Sequence, residues 1–290
     1  MKIAIIGASG EVGFRLVQRL CLNHQLICIV RDKKKKDFSK LSNITLFEIS
    51  DVSKTQEISS ALNNVDVVIN AGYIFFAQHI FAAINCLESR PKHIIFTGST
   101  GVFTKLPSFD ADLKRDAELF IEKKYDVPWT IIRPTMIYGH AHDRNISRAI
   151  KFLNMFPFLP LIGTGQALIQ PVFIDDVIKA FEIAILNSKL FSKAFNIAGE
   201  KPLTNRQLFK AICKALNKKV YFISINPKIF SLVIRVLSIF RLEPINQEQI
   251  LRFQEDKDIE LLSFIKNFNF TPRSFEKGID SLIEEMKLKK

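Results

Sequence analysis

Short runs of β-branched and other apolar residues alternate with longer amphipathic stretches through the first half of this 290-residue chain. The runs Lys2–Ile6, Leu26–Val30, Ile44–Glu48, Val65–Asn70, His93–Thr97 and Thr130–Arg133 read as strands, several of them apolar at nearly every position. A strand covered by helices on both faces of a parallel sheet needs that pattern. Between them, Glu11–Leu22, Thr55–Leu62, Phe76–Glu88 and Asp112–Lys124 read as helices. The alternation predicts βαβ units, and so an α/β fold with a doubly wound parallel sheet. A helix at Asp176–Asn187 and a strand at Ala194–Ala198 continue it. Late in the chain, Asn226–Leu242 places Ile229, Phe230, Leu232, Val233, Val236, Leu237 and Phe240 at helical spacing. This predicts an amphipathic helix that covers a substrate cleft or packs on the main domain. With Lys228, Arg235 and Arg241 on it, the alternative is a helix lying on an anionic membrane.

Composition narrows the class. An apolar fraction of 48% and a charged fraction of 24% fit an ordinary globular protein and exclude a disordered chain. No apolar stretch reaches the roughly 18 residues of a membrane span. The first residues enter a strand directly, without a secretory leader, so a cytoplasmic protein is expected. Cys21, Cys28, Cys86 and Cys213 show no paired spacing and read as buried thiols in a reducing compartment. The 41 basic residues exceed the 29 acidic ones by 12, which favours anionic partners. Much of that excess is local, in Arg31 with Lys33 to Lys36 and in Lys287, Lys289 and Lys290. No basic stripe with interleaved aromatics is visible, so nucleic acid is not expected as a partner. The 26 phenylalanines lie among other apolar residues and read mostly as core.

Candidate chemistry gathers after the strands. The chain has only eleven glycines, and Gly7, Gly10, Gly13, Gly72, Gly98, Gly101, Gly139 and Gly199 all fall just past predicted strands. In an open α/β sheet the ligand lies beyond the carboxyl ends of the strands. Gly7-Ala8-Ser9-Gly10-Glu11-Val12-Gly13 follows the first strand and opens the first helix, so its backbone amides suit a dinucleotide pyrophosphate. After the second strand stands Arg31 where an NAD site usually carries an acid, which points to NADP, with NAD the alternative. Asp51, followed by Val52, is placed to accept from an adenine amino group or to cap the next helix. Asp175 and Asp176 open a helix and are expected to cap it. His140, His142 and Asp143 share a loop, but their spacing does not predict a metal site.

Five blocks in order resemble the short-chain dehydrogenase/reductase superfamily, in its extended or atypical branch of nucleotide-sugar epimerases, dehydratases and reductases. They are Gly7–Gly13, Asp66–Gly72, Phe96–Ser99, Arg133–Gly139 and Pro171–Val177, and a sixth, Phe195–Thr204, is similar to the family's late strand and turn. The resemblance covers roughly residues 1–220. It implies a Rossmann-type domain over 1–200, with a substrate-side insertion at about 140–172, and a smaller, mostly helical substrate or cap region over 201–290. It further implies that Ala71 and Gly72 border the cofactor, that Ser99 hydrogen-bonds the reacting oxygen, and that Pro134 lies near the nicotinamide. Lys114, in Lys114-Arg115-Asp116-Ala117-Glu118, is similar to the lysine of the family's Tyr-x-x-x-Lys motif, which holds the ribose. Asn145, Arg148, Gln166 and Gln170 fall in the substrate-facing stretch.

One position departs from the family. Asp110 stands where the catalytic tyrosine belongs, and none of Tyr73, Tyr125, Tyr138 and Tyr221 has a lysine four residues on. A carboxyl of ordinary pKa about 3.9 is a poor proton donor at neutral pH, so Asp110 is expected to cap the following helix. Tyr73, after the fourth strand, is the candidate to take over proton transfer, its other reading being a core or rim aromatic. Two functions follow from the resemblance. One is an NAD(P)-dependent oxidoreductase or epimerase acting on a nucleotide sugar or similar anionic polyol, with envelope polysaccharide synthesis a setting. The other is a non-catalytic NAD(P)-binding sensor or assembly protein. A homodimer and contact with a membrane surface stay open.

Overall fold

Alternate side chains of the first strand, β1 (Lys2–Ile6), feed two separate cores, Ile3 and Ile5 on one face and Ala4 and Ile6 on the other. That is the period-two geometry of a strand buried on both sides. The computed structural model describes residues 1–124, 126–141, 143, 145–226 and 255–288. Strands β2 (Gln25–Val30), β3 (Ile44–Glu48), β4 (Val67–Asn70), β5 (His93–Thr97) and β6 (Trp129–Pro134) follow the expected order, with ends shifted by one or two residues. Short strands β7 (Ile137–Tyr138), β8 (Phe158–Ile162), β9 (Leu168–Ile169) and β10 (Val172–Phe173) come next, then β11 (Lys193–Ile197), β12 (Leu203–Thr204) and β13 (Tyr221–Ile225). The main sheet is parallel throughout, in the order β11-β6-β5-β4-β1-β2-β3. The chain reverses its direction of travel between β1 and β4, which opens a crevice past their carboxyl ends. In register, Ile6 sits between Ile29 and Asn70 at that point.

Helices α1 (Glu11–Leu20), α5 (Ile146–Met155) and α6 (Ile174–Ala184) supply Leu16, Val17, Ile150, Val177 and Phe181 to the first core. Helices α2 (Thr55–Ala61), α3 (Ala77–Asn85) and α4 (Phe109–Glu122) supply Ile58, Ile80, Phe81, Ala117 and Ile121 to the second. The result is a Rossmann-like sheet layered between helices.

Beyond the main sheet stand two-stranded ladders, β7 with β10, β9 with β12 and β8 with β13. Helix α7 (Asn205–Ala215) starts at a capping box in which Thr204 and Gln207 satisfy each other's amides. Helix α8 (Leu262–Phe268) packs on β11 and α6, and α9 (Phe275–Glu285) packs on α7 and β10. Gly278 of α9 sits so close to Tyr138 that a side chain there would overlap the phenol ring, and the Tyr138 hydroxyl donates to the Phe275 carbonyl at 3.3 Å.

Several expectations are corrected. Helix α4 begins at Phe109 rather than Asp112, because Ser108 is the residue whose side chain accepts from Ala111 N. Asp110 therefore lies inside the first turn and is not the cap. Helix α6 has no side-chain cap; Asp175 pairs with Arg15 at 3.0 Å and Asp176 with Arg273. Three cysteines are buried, but Cys86 is exposed at the end of α3. Phe103 and Phe109 are among the exposed phenylalanines, outside both cores. The amphipathic stretch Asn226–Leu242 lies, past Asn226, outside the described residues. Among the described residues, no helix is long and apolar enough to cross a membrane.

Candidate functional site

The turn after β1 is shaped by contacts that exclude side chains. Gly7 has φ +80°, and a Cβ there would press on Gly72 N. A Cβ at Gly13 would collide with the Gly7 carbonyl and with Ala8. The amides of Gly7 and Ala8 donate to Ile29 O, and Gly10 N donates to Gly7 O at 2.9 Å, which curls the turn onto β2. Gly10 offers α1 no side-chain cap. The first-turn amides at Glu11 and Val12 are thus suited to an anion, and the helix dipole adds to the attraction. Ser9 is buried under the turn. Ala71 N donates to Ile6 O, and Gly72 N to the Asn70 side chain, so the β4 edge closes against Gly7. These residues fit the pyrophosphate of a dinucleotide.

The candidate adenosine end is the loop edge past β2 and β3. Arg31 is exposed at the tip of β2. Across from it, exposed Asp51 accepts from Ser53 N at 2.7 Å; those local hydrogen bonds, helped by Arg31, hold its carboxyl below the usual range. Lys54, not Asp51, is the N-cap residue of α2. Val52 is buried behind it. Lys33 pairs with Glu48 at 3.6 Å, and Lys36 reaches Glu11 at 2.6 Å. Burial alone would raise the Glu11 carboxyl. The Lys36 hydrogen bond and charge, with His140 and Arg15 nearby, more than offset this and hold it low. Glu11 therefore turns its charge toward the basic loop. The Glu11–Lys36 tie was not legible in the sequence, where both residues fitted other patterns.

The candidate catalytic edge is formed by β5, β6 and α4. Ser99 caps a single turn, its hydroxyl accepting from Gly101 N at 3.1 Å, which leaves its proton to donate. Next to it, the Thr100 hydroxyl donates to the Pro134 carbonyl at 3.4 Å, so the Ser99 turn and Pro134 are in contact. Lys114 is one-fifth exposed and donates to Asp110 at 2.5 Å along the face of α4. Asp110 itself is half exposed. Tyr73 stacks on Phe75 with 5.0 Å between ring centres, in a turn that packs against α4. Among the described residues its hydroxyl has no hydrogen bond to Ser99, Lys114 or Asp110. Beneath the edge, Arg133 clasps Glu118 through three contacts of 2.6–3.0 Å, both side chains largely buried.

Other candidate groups have structural partners. Asp143 accepts from Asn145 N, Ser147 N and the Ser147 hydroxyl, which fixes the start of α5. His140 lies 3.9 Å from Glu11. Burial lowers the His140 pKa, against the pull of Glu11 and Asp143. Among the described residues, no group of His, Cys, Asp and Glu is placed to hold a metal ion. Gln170 is buried, donating to Gly199 O and accepting from Ile259 N, so both ends of its amide serve the fold. Tyr138 is buried too, and burial pushes its phenol well above the usual range. Sequence reasoning also missed the strap at 255–261. There Glu255 accepts from the Thr104 hydroxyl and Lys105 N, and Leu168 donates to Asp256. It carries no periodic signal to find it by.

Residues 7–150 match the family model described as NAD(P)H-binding. The chain is 24% identical to the N-acetyl-alpha-D-glucosaminyl-diphospho-ditrans,octacis-undecaprenol 4-epimerase of Escherichia coli O157:H7, over 76% of this chain and 73% of that protein. It is 26% identical to the chloroplast stem-loop binding protein of 41 kDa b of Arabidopsis thaliana, over 100% of this chain and 84% of that protein. The crystal structure of UDP-glucuronic acid 4-epimerase from Bacillus cereus, in complex with UDP-glucuronic acid and NAD, superposes with a TM-score of 0.76. That pair shares 17% identity over 99% of each chain, a likeness of fold.

Proposed function

We propose that this chain, which belongs to the extended short-chain dehydrogenase/reductase superfamily, is an NAD(P)-dependent oxidoreductase or epimerase acting on a diphosphate-linked sugar. The observation that carries the reading is the shared edge. The glycine cradle at the β1–β4 crevice and the Ser99 turn, tied to Pro134 at the end of β6 through the Thr100 hydroxyl, both stand at the carboxyl edge of one sheet. A bound nicotinamide would supply hydride chemistry there. Ser99 donates a hydrogen bond to the reacting oxygen, and Lys114 leaves Asp110 to hold the ribose. Proton transfer passes through water or Tyr73. Arg31 favours a 2′-phosphate, so NADP is the preferred cofactor. Residues 1–200 carry the cofactor and residues 201–290 shape the substrate side. The similarity to an undecaprenol-linked sugar epimerase and to the fold of a UDP-sugar epimerase supports the substrate class.

A second reading is a cofactor-binding protein without turnover. The Asp110–Lys114 pair favours it, because it occupies the lysine with a residue that cannot replace the tyrosine. The test begins by denaturing the purified protein and identifying released small molecules by mass spectrometry. Purified protein is then incubated with UDP-linked and polyprenyl-diphosphate-linked sugars and either cofactor, and sugar epimers or oxidised products are followed by NMR. Turnover of one sugar supports the enzyme. Bound NADP or NAD with no turnover of any sugar transfers support to the second reading, and failure to bind either cofactor overturns both.

A further inference from the structure

Charge is distributed unevenly along this chain. Residues 144–174 and 201–242 contain no acidic residue and twelve of the 41 basic ones, which leaves 29 basic against 29 acidic in all the rest. The whole net charge of +12 therefore belongs to these two stretches. The fold brings their described parts together. Strand β13 pairs with β8 in parallel, with Tyr221 opposite Phe158 and Ile223 opposite Pro160. Tyr221 N donates to Pro157 O, and the Lys218 ammonium donates to the Asn154 carbonyl at the end of α5.

The outward face of this ladder is apolar. Tyr221 is 75% exposed and Ile223 52%, beside Phe158 and Phe156, and Met155 at the end of α5 is 73% exposed. The inward positions Leu159 and Leu161 are buried, so the outward residues are not core side chains awaiting a partner within this ladder. Basic residues border the same patch. Arg148 and Lys151 share one face of α5 with Met155, at helical spacing and all exposed, and Lys218 and Lys219 are exposed just before β13.

We propose that this face is a docking surface for an anionic lipid bilayer. Exposed aromatic and aliphatic side chains bordered by cations, on segments that carry no acidic residue, match the two forces that hold a protein at such a surface. Apolar groups enter the headgroup boundary, and lysines and arginines are drawn to anionic lipid. A soluble partner protein of ordinary composition would leave part of this basic border without a counterpart, whereas anionic headgroups supply one at every point. The proposal does not rest on the enzymatic reading, since it uses no residue of the cofactor or catalytic edge.

The test is sedimentation of the full chain with vesicles of phosphatidylcholine alone and of phosphatidylcholine with phosphatidylglycerol. Binding to the anionic vesicles, weakened by salt and absent with phosphatidylcholine, is expected. Lys218→Glu with Lys219→Glu should lower the bound fraction at least ~10-fold, and Tyr221→Ser with Ile223→Ser should do the same. Lys123→Glu with Lys189→Glu, which changes the net charge equally at exposed sites elsewhere, should leave binding nearly intact. Circular dichroism and size-exclusion chromatography on each variant separate lost docking from lost folding or a changed oligomer. Equal loss in the Lys123/Lys189 variant, equal binding to both vesicles, or no binding to either overturns the proposal. So does a shift from dimer to monomer on Tyr221→Ser with Ile223→Ser without vesicle binding by the wild type, which would make the face a contact between two copies.

Discussion

The turn after β1 and the opening of α4 stand over the same sheet edge, yet they are held in different ways. At the turn, backbone touches backbone: Gly7 needs a left-handed conformation and Gly13 has no room for a Cβ. At the start of α4, half-exposed Asp110 pairs with the largely covered Lys114 one helical turn on, a contact between side chains alone. Side chains can change at the second place with little cost to the fold, whereas the first admits almost no change. The identity of the half-exposed residue at position 110 thus says little about stability. Its meaning is chemical.

The largest effect should come from breaking the first region. Gly13→Val pushes a branched side chain against the Gly7 carbonyl, and is expected to cost ~3 kcal/mol or more and to remove cofactor binding. Asp110→Asn should change stability by no more than ~0.5 kcal/mol. Urea unfolding of both variants checks the contrast, and equal losses would break it. With a substrate in hand, Ser99→Ala and Lys114→Met should each lower turnover at least ~100-fold. Asp110→Asn should leave most of it, and Tyr73→Phe reads whether the proton passes there. Abolished turnover in folded, cofactor-binding Asp110→Asn would make the aspartate the acid/base.

A third measurement sharpens the comparison below the edge. His93 on β5 is fully buried, touching the Thr130 hydroxyl at 3.0 Å, and burial pushes its pKa down to about 4 from 6.5. A group whose pKa is lower in the folded state holds fewer protons there than in the unfolded chain between those two values. Neutral His93 therefore costs nothing above pH 6.5, and stability falls as pH drops from 6.5 toward 4, by up to about 1.4 kcal/mol per pH unit. The unfolding free energy of His93→Gln should lose that slope. An effect confined to cofactor choice is expected at the exposed loop edge past β2. Arg31→Ala should weaken NADP ~10-fold and leave NAD unchanged, measured by titration calorimetry. Equal affinities for the two cofactors in the wild type would remove the assignment of Arg31.

The first region was legible in sequence because its constraint is steric and local. A glycine directly after the first apolar run, with two more at spacing three, describes the turn whatever lies elsewhere. The strands were legible because burial on both faces demands uninterrupted apolar runs. Helix α4 was placed three residues late because Ser108, the true cap, looked like part of the loop and Asp110 and Asp112 looked like competitors. Asp175 and Asp176 misled in the same way: their partners Arg15 and Arg273 lie 160 and 97 residues away, beyond any local pattern. The Arg133–Glu118 clasp and the Glu255 contacts share that character. Long-range side-chain pairing is set by topology, and a single sequence carries little trace of it.

The fit of Gly278 against Tyr138 has a consequence for the order in which the molecule assembles. Residues that touch there are 137 positions apart in the case of Tyr138 and Phe275. A chain made from its N-terminus can complete the early βαβ units while it is still being synthesised. The Tyr138 ring, with Phe173 edge-on at 5.3 Å, must then wait for the last helix before its hydroxyl finds an acceptor. Closing so long a loop is slow, and during that interval an aromatic cluster faces solvent. The nascent protein is thus most vulnerable to misassociation around Tyr138 and Phe173, after its early βαβ units have already formed.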